Sequence, residues 1–439
     1  MIDPALKNVK ILAVDIKDVR FRFHEGGPGS DANNPHTDYS NPYVELITNT
    51  PLRGVGIGFS LGKGNEHICS AAEELFPLIK GISLYEIIAN FSHVWRKLAN
   101  PIQSRWIGPN CGPYHMAAGA LANAVFDLYA KFLNKPLWEV LLQLEPIELI
   151  EMIDFRYVEH LLNKSEALLL LEQNRSGIDD RKKKLELDGL PAYFTTWIGS
   201  SVEDLIAQIS DVRQKNGIRL FKMKVGVDLD VDLKRIEAVR KHFGSTIDLC
   251  VDANQVWSPP VAVEWVTALS KYDLTWIEEP TAPDSISGHK WIRDRIKALN
   301  IDVVTGENCP NSHVAAQMME CGAIDRFQID ACRVIGPMEN ILIMLVARKY
   351  GIPVCPHAGG SGLDELVPHL AAWNYIALGA PLDKVRVEQV NFCSQYFIQP
   401  SRVVNGKIPL PSMPGYIVGM KEDAIMNFHY PDGTLWRHS

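Results

Sequence analysis

The chain has 439 residues, of which 46% are hydrophobic and 22% charged, so it is long enough for two or three domains and too apolar for a disordered protein. Its formal net charge of −8 argues against a nucleic-acid-binding protein, because such proteins need a cationic surface. The longest apolar runs, such as Ile341–Ala347, are far shorter than the roughly 20 residues of a membrane-spanning helix. The N-terminus lacks an apolar segment of signal-peptide length, and the eight scattered cysteines form no Cys-x-x-Cys pair. We therefore expect a cytoplasmic protein that binds neither nucleic acid nor membranes.

The first 160 residues predict a mixed α+β domain. Apolar runs at Ile11–Phe23 and Tyr43–Ile47 are typical of β-strands, and the Gly-, Asn- and Pro-rich stretch Gly26–Pro42 separates them. Loops of this length in compact domains are usually functional or disordered, so we interpret the stretch as a candidate lid. From residue 71 to about residue 142, the apolar spacing becomes helical.

From about Pro191, short β-rich runs alternate with stretches of helix length, which predicts a parallel sheet built from βαβ units. Eight strands are predicted: Tyr193–Trp197, Leu220–Val225, Ile247–Asp252, Leu274–Glu278, Val303–Glu307, Arg326–Asp330, Val354–His357 and Lys384–Glu388. This repetition favours an α/β fold of the TIM-barrel type over an open doubly wound sheet. No Gly-x-Gly-x-x-Gly motif opens a helix, which weakens a nucleotide-binding interpretation.

Ionisable residues stand at or near the ends of seven of these runs: Lys222 with Lys224, Asp252, Glu278, Glu307, Asp330, His357 and Glu388. From Lys224 onward they are 23 to 31 residues apart, close to one strand-plus-helix unit each time. In a TIM barrel the C-terminal ends of the strands ring one mouth, where catalysis takes place. We therefore expect these groups to face one cavity.

Side-chain alternation along each strand selects the inward residues. Lys222 and Lys224 share one face, and Glu278 lies on the inward face, opposite Glu279. Taken singly, each residue has a simpler explanation, such as a helix cap, a strand edge or a buried structural histidine. The set as a whole does not, because two lysines in an apolar run are costly to bury without anionic partners.

Asp252, Glu278 and Glu307 would bring three carboxylates together from neighbouring strands. Crowded carboxylates repel one another unless a divalent cation holds them, and an all-oxygen set with open positions suits Mg²⁺. Such an ion also lets an acidic protein bind an anionic substrate. We predict one Mg²⁺ per subunit at these three residues.

Lys224 and His357 would flank this ion. We expect Lys222 and the ion to lower the pKa of Lys224, so that it acts as a base near neutrality. Asp330 is expected to orient His357 as its partner in a dyad. Two acid/base groups beside a metal-bound carboxylate suit abstraction of the proton α to that carboxylate, with the metal stabilising the charge that develops.

The stretches that carry these residues resemble the mandelate-racemase subgroup of the enolase superfamily: Phe221–Gly226, Val251–Gln255, Trp276–Pro280, Thr305–Glu307 and Pro356–Gly360. Five more are similar to the L-fuconate dehydratase family, and fungal L-galactonate dehydratases share much of the pattern: Asp18–Phe21, Ser30–Asn34, Arg105–Pro109, Ile153–Tyr157 and Tyr430–Gly433. The resemblance covers essentially the whole chain. It implies a modified (β/α)7β barrel over residues 161–415, a capping domain over 1–160, and a segment 416–439 that packs back on the cap.

The resemblance also implies a reaction on a sugar acid that chelates Mg²⁺ through its carboxylate and 2-hydroxyl. Lys224 would remove the C2 proton, Glu388 would hydrogen-bond the developing ene-diolate, and His357 would protonate the departing 3-hydroxyl. The product is a 2-keto-3-deoxy acid, and the order of Lys224 and His357 depends on the C2 configuration. Substrate contacts are expected from the cap and the barrel mouth: Asp31, Tyr193 and Asn254.

Three stretches at the barrel mouth differ from these relatives: Tyr193–Ile198, Gly360–Asp364 and Gln389–Ser394. L-Fuconate is the first expected substrate, and L-galactonate or another sugar acid is the alternative. A racemase or epimerase of the same superfamily, and a catalytically silent binding relative, are further alternatives. By analogy with the family we also expect a homo-oligomer.

Overall fold

The computed structural model describes residues 2–36, 38–101, 103–108, 110–390 and 392–437. Two of the stretches compared above, Arg105–Pro109 and Gln389–Ser394, therefore each contain one residue outside the described part, Pro109 and Asn391. Within the described residues, no helix has both the length and the apolar character needed to cross a membrane.

The N-terminal part is a three-stranded antiparallel sheet covered by helices. Its elements are β1 (Ile11–Arg22), β2 (Asp38–Thr48), β3 (Arg53–Ile57), α1 (Asn65–Leu75), α2 (Leu84–Ala89), α3 (Phe91–Ala99), α4 (Gly112–Phe132), α5 (Leu137–Gln143) and α6 (Pro146–Glu151). The almost wholly buried helix α4 lies directly on β3. Glycine at position 56 permits this contact, because a Cβ there would lie 2.0 Å from the carbonyl oxygen of Ala120.

The candidate lid is shorter than the sequence predicts. Strand β2 already begins at Asp38, so the end of the predicted loop Gly26–Pro42 belongs to this strand. The end of the predicted loop is strand because Tyr39 is buried and packs against the rings of Phe23 and Phe59 at 5.8 and 5.0 Å. This apolar contact draws the polar-looking stretch into the sheet.

The C-terminal part is a curled parallel sheet surrounded by helices, which confirms the predicted cap-and-barrel architecture. Two helices lead into it, α7 (Lys164–Gln173) and α8 (Ile178–Asp188). The alternating elements are β4 (Leu190–Thr195), α9 (Val202–Asn216), β5 (Leu220–Lys224), α10 (Leu229–Phe243), β6 (Asp248–Asp252), α11 (Pro259–Leu269), β7 (Leu274–Glu278), α12 (Ile286–Ile296), β8 (Asp302–Thr305), α13 (Ser312–Glu320), β9 (Arg326–Phe327), α14 (Gly336–Tyr350), α15 (Leu363–Leu378) and β10 (Val387–Gln389). The strand order is β10-β4-β5-β6-β7-β8-β9, so the last strand pairs with the first.

One predicted strand is not a regular strand. The stretch Val354–His357 makes only isolated parallel bridges to the chain at and beyond β9, Phe327 to Val354 and Asp330 to His357. Its place in the order, between α14 and α15, is nevertheless that of a barrel strand. The described chain thus has eight strand positions with seven intervening helices, the (β/α)7β arrangement.

The end of the chain returns to the cap. Strand β11 (Lys407–Ile408) pairs antiparallel with β4, and helix α16 (Glu422–Phe428) follows. The backbone N–H of Tyr430 donates to the carbonyl of Asp18 in β1 at 2.7 Å, and the Arg20 guanidinium lies over the Tyr430 ring at 3.9 Å. The domain limits 1–160, 161–415 and 416–439 stay a prediction.

Candidate active site

The register of the parallel strands brings the first ionisable side chains together. Lys224 at the end of β5 is paired with Asp252 at the end of β6, which is paired with Glu278 at the end of β7. All three side chains are buried, as expected for strand residues whose side chains point into the barrel.

Glu307 reaches the same place through a glycine. Strand β8 ends at Thr305, and Gly306 follows with φ 143°, a conformation that favours glycine. A Cβ on Gly306 would lie 2.8 Å from the backbone nitrogen and oxygen of Gln328, so glycine is the only residue that fits this turn without displacement. The turn brings the Glu307 carboxylate beside those of Asp252 and Glu278.

The three carboxylates form a group that fits a divalent cation. One oxygen from each of Asp252, Glu278 and Glu307 lies within 4.8 Å of the others. Oε2 of Glu278 accepts hydrogen bonds from Trp276 Nε1 at 3.2 Å and Gln328 Nε2 at 2.9 Å, which fixes the orientation of this carboxylate. An all-oxygen donor set of this kind, buried at Asp252 and Glu278 and half-buried at Glu307, suits Mg²⁺.

Lys222 bridges three carboxylates. Its Nζ lies 2.5 Å from Glu278 Oε1, 2.9 Å from Glu388 Oε1 and 3.4 Å from Asp252 Oδ2. Burial alone would lower the pKa of Lys222, but these carboxylates outweigh it and raise the pKa well above its ordinary value. Lys222 is therefore a fixed cation at the centre of the site.

Lys224 is paired with Asp252 at 2.6 Å and also donates to Asn254 Oδ1 at 2.9 Å. Burial favours the neutral amine and Lys222 repels it, but the carboxylates around it, Asp252 foremost, together raise the pKa of Lys224. Lys222 by itself therefore does not lower this pKa, and the lowering expected from a bound ion stays a prediction. The physical reason is that the fold that brings Lys222 near also places the Asp252 carboxylate in direct contact with the amine.

His357 and Asp330 form the expected pair, with Nδ1 of the imidazole 2.6 Å from Asp330 Oδ2. The other ring nitrogen, Nε2, lies 3.6 Å from Glu307 Oε2 and 3.8 Å from Glu388 Oε2. Burial lowers the pKa of His357, but the surrounding carboxylates, Glu307 foremost, raise it to about 10. These carboxylates favour the protonated imidazole, the form in which Nε2 carries a proton.

Glu388 accepts hydrogen bonds from three sides, from Lys222, from the Thr195 hydroxyl and from the Ala358 backbone N–H at 3.1 Å. Burial would raise its pKa, but Lys222 and His357 lower it below the ordinary value. Glu388 is thus an ionised carboxylate here, and it needs a proton before it donates a hydrogen bond to a substrate.

The three predicted substrate contacts have different positions. Asn254 and Asp31 both line the cavity that contains the two lysines. Asp31 also holds the candidate lid in shape, because its Oδ1 accepts from the backbone N–H groups of Asn33 at 2.7 Å and Asn34 at 2.8 Å. The Asn33 amide in turn donates to the Asn254 carbonyl, which ties the lid to the barrel mouth.

Tyr193 lies outside the cavity lining, and its predicted contact with the substrate stays a prediction. Its side chain is fully buried in the barrel interior, beside Trp276 at 5.5 Å, and it does not line the cavity. Thr195 occupies the cavity wall instead. Thr195 is the last residue of β4 and lies two residues beyond Tyr193, on the same inward face. An inward residue at the end of a barrel strand points to the mouth, and this is the sequence signal that could have identified Thr195.

Sequence reasoning missed an aromatic wall on the cavity, which is lined by Tyr39, Phe59 and Trp197. Phe392, from the stretch that differs from the relatives, supports this wall with ring contacts to Tyr39 at 4.9 Å and Trp197 at 5.5 Å. The inner cavity has a volume of about 60 Å³. On the His357 side it adjoins a chamber of about 340 Å³, which Lys63 and Arg333 help to line.

Gly359 offers a direct test of this cavity. A Cβ on Gly359 would lie 2.7 Å from His357 Nε2 and 3.3 Å from Glu388 Oε2, while the backbone there accepts an L-residue. We expect Gly359→Ala to fold normally and to lower kcat/KM by about 100-fold, the cost of a misplacement of about 1 Å at reacting atoms. Thermal unfolding and steady-state kinetics measure the two effects; unchanged kinetics would show that the substrate does not use this space.

The chain is similar over most of its length to several known proteins. Residues 204–424 match the family described as "Enolase C-terminal domain-like". The crystal structure of human mitochondrial enolase superfamily member 1 is 39% identical, with a TM-score of 0.96 over 98% of each chain. L-Galactonate dehydratase of Hypocrea jecorina is 39% identical over 438 residues, 98% of this chain and 97% of the relative. L-Talarate dehydratase from Polaromonas sp. JS666, solved with Mg and L-glucarate, has a TM-score of 0.71 over 95% of this chain and 96% of its own, at 23% identity.

Proposed function

Because the chain belongs to the enolase superfamily, and its near relatives include a sugar-acid dehydratase, we propose that it is a Mg²⁺-dependent dehydratase of a monocarboxylic sugar acid, with L-fuconate as the preferred substrate. The observation that carries the proposal is the set of three clustered carboxylates flanked by Lys224 and by the His357–Asp330 pair. A neighbour of the same fold was solved with Mg, which supports the choice of ion.

The ion would be held by Asp252, Glu278 and Glu307, and when bound it would supply positive charge to the substrate carboxylate. The protein positions two proton-transfer groups around that carboxylate. Lys224 precedes the three ligand strands in the barrel order, and His357 follows them. Lys224 accepts the C2 proton on its Nζ once it is released from Asp252 and deprotonated. His357, in its protonated form, gives the proton at Nε2 to the departing 3-hydroxyl.

The surrounding residues hold these groups in place. Lys222 remains charged and offsets the negative charge that develops on the substrate carboxylate. Asp330 fixes the imidazole through Nδ1, which leaves Nε2 directed towards Glu307 and Glu388 and hence towards the cavity. Loss of the 3-hydroxyl as water leaves an enol, which takes up a proton at C3 and becomes the 2-keto-3-deoxy acid.

The aromatic wall supports a substrate with an apolar end. L-Fuconate ends in a methyl group, whereas L-galactonate carries a hydroxyl at the same carbon. A wall of Tyr39, Phe59 and Trp197 offers little to compensate a buried hydroxyl. We therefore expect kcat/KM to favour L-fuconate over L-galactonate by roughly 10- to 100-fold.

A panel of acids tests the proposed function. The wild-type protein is incubated with Mg²⁺ and L-fuconate, L-galactonate, D-arabinonate, L-rhamnonate or D-gluconate, and the keto product is read with semicarbazide. We expect product from L-fuconate first and none after addition of EDTA. Absence of product from every acid would contradict the dehydratase, and conversion of an acid into its C2 epimer would identify a racemase or epimerase instead.

Trp197→Ala tests the aromatic wall. Removing the ring opens space and admits water, so we expect the preference for L-fuconate over L-galactonate to fall towards one, mainly through a loss of kcat/KM for L-fuconate. Trp265→Ala is the matched control, because Trp265 lies on α11 and packs against Trp257 at 4.8 Å rather than lining the cavity. An unchanged preference in Trp197→Ala would show that the wall does not contact the end of the substrate. The cytoplasmic location and the homo-oligomer stay predictions.

A further inference from the structure

We propose that Glu279 is a positioning residue of the candidate metal centre, acting on the Glu307 ligand through the side-chain amide of Asn308. The inference rests on the proposed function, because it takes Glu307 as a metal ligand. It concerns a residue that strand alternation directs away from the site.

Glu279 does not lie where alternation would direct it. Strand β7 ends at Glu278, and Glu279 follows with φ 43°, in the left-handed region. Its backbone N–H donates to the Val304 carbonyl at 2.9 Å, and its own carbonyl accepts from the Gln255 N–H at 2.9 Å. The chain therefore turns at the strand end, and the carboxylate remains fully buried beside the site.

Two side-chain amides converge on this carboxylate. Gln255 Nε2 lies 2.9 Å from both oxygens, and Asn308 Nδ2 lies 3.1 Å from Oε1. Both partners are donors, so the site requires a group that only accepts. A carboxylate meets that requirement, whereas a glutamine of the same shape would direct its own NH₂ group at a donor.

Asn308 links Glu279 to the metal group. The same Nδ2 that donates to Glu279 lies 3.3 Å from Oε1 of Glu307, the adjacent residue. Its carbonyl oxygen accepts from Arg333, so the amide is held at both ends. Glu279 thus fixes the amide that contacts one of the three carboxylates, the arrangement by which outer hydrogen bonds orient metal ligands.

A purely structural role for Glu279 would be to hold the turn after β7. It predicts a loss of stability without a specific loss of metal affinity, and it gives no reason for Glu279 and Asn308 to act together. Metal affinity measured without turnover separates the two roles, and a double-variant cycle tests the link through Asn308.

The experiment titrates Mg²⁺ into metal-free protein by calorimetry. We expect Glu279→Gln to weaken Mg²⁺ binding by about 10- to 100-fold with little change in Tm. Asn308→Ala should weaken binding by a similar factor, and the double variant should bind no more weakly than the weaker of the two singles. Glu264→Gln, at an exposed position on α11, is the matched control and should bind as wild type does.

Wild-type Mg²⁺ affinity in Glu279→Gln, or strictly additive losses in the double variant, would overturn the inference while leaving the proposed function intact. A wild-type protein that binds no Mg²⁺ and turns over no sugar acid would overturn both. If Glu279→Gln unfolds, Asn308→Ala and Asn308→Asp decide the matter. The aspartate variant presents a carboxylate to Glu279 and Glu307, so it should weaken Mg²⁺ binding at least as much as the alanine variant. Wild-type affinity in both Asn308 variants would overturn the inference.

Discussion

Replacing Lys224 by alanine is expected to lower kcat on the preferred sugar acid by about 10²- to 10⁴-fold, the contribution of a positioned proton-transfer group. The same variant should bind Mg²⁺ at least as tightly as the wild type. The reason is the ion pair with Asp252 at 2.6 Å, because the ammonium would compete with a metal ion for this carboxylate. Loss of turnover with retained or improved metal affinity separates Lys224 from the ligands beside it.

Single-turnover kinetics and Mg²⁺ calorimetry on the same preparations measure the two effects. Lys241→Ala is the matched control, since Lys241 is an exposed residue of α10 and should change neither quantity. Lys224→Ala with kcat within a few-fold of wild type would show that Lys224 is not the base. If exchange of the substrate's C2 proton with solvent is lost in a His357 variant instead, His357 is the base and Lys224 is the acid.

Replacing Asp252 by asparagine is expected to weaken Mg²⁺ binding strongly and to abolish turnover. Asp252 is the carboxylate that both lysines contact, and burial would raise its pKa, but Lys224 and Lys222 outweigh burial and lower it. Removing a ligand should cost more than the 10- to 100-fold that an outer hydrogen-bond partner costs, so we expect a loss of metal affinity above about 100-fold.

The matched control is Asp248→Asn, at the opposite end of the same strand β6. This control makes the same change from aspartate to asparagine but leaves the cluster of Asp252, Glu278 and Glu307 intact. Its Mg²⁺ affinity and kcat should therefore equal those of the wild type. A variant Asp252→Asn that still binds Mg²⁺ with wild-type affinity would remove Asp252 from the ligand set. Circular dichroism and Tm establish that either variant is folded.

The sequence was most informative where barrel geometry repeats. Strand β7 was predicted at its observed limits, Leu274–Glu278, because an apolar run ended in an ionisable residue. Since parallel strands end on one rim, the spacing of such residues also indicated which side chains would meet. The contacts among Lys222, Lys224 and Asp252 follow from that rule.

The expectations failed where the regular strands end. Side chains no longer alternate between the two faces of a strand once φ becomes positive, as it does at Glu279. The Glu279 carboxylate therefore stays beside the candidate metal site. Tyr193 and Thr195 share one face of β4, but of the two only Thr195 lines the cavity, because Tyr193 is fully buried beside Trp276 in the barrel interior. The aromatic wall depends on contacts between Tyr39 of the cap and Phe392 of the barrel mouth, which are distant in sequence and have no local signature.

The direction of the Lys224 pKa shows a second limit of reasoning from residue types. A lysine beside another lysine is expected to have a lowered pKa. The fold, however, also brings carboxylates into contact with Lys224, and Asp252 raises its pKa more than Lys222 lowers it. The balance of these charges depends on distances of 2.6 to 3.4 Å, which only the folded chain defines.

The central claim is that the protein removes the C2 proton of a sugar acid and then expels the 3-hydroxyl. Proton NMR of L-fuconate with wild-type protein and Mg²⁺ in D₂O tests it most directly. We predict loss of the C2 proton signal and appearance of a 2-keto-3-deoxy acid that carries one deuterium at C3, both abolished by EDTA. Substrate that keeps its C2 proton while Mg²⁺ is bound, or that returns only as a C2-deuterated acid without loss of water, would contradict the account.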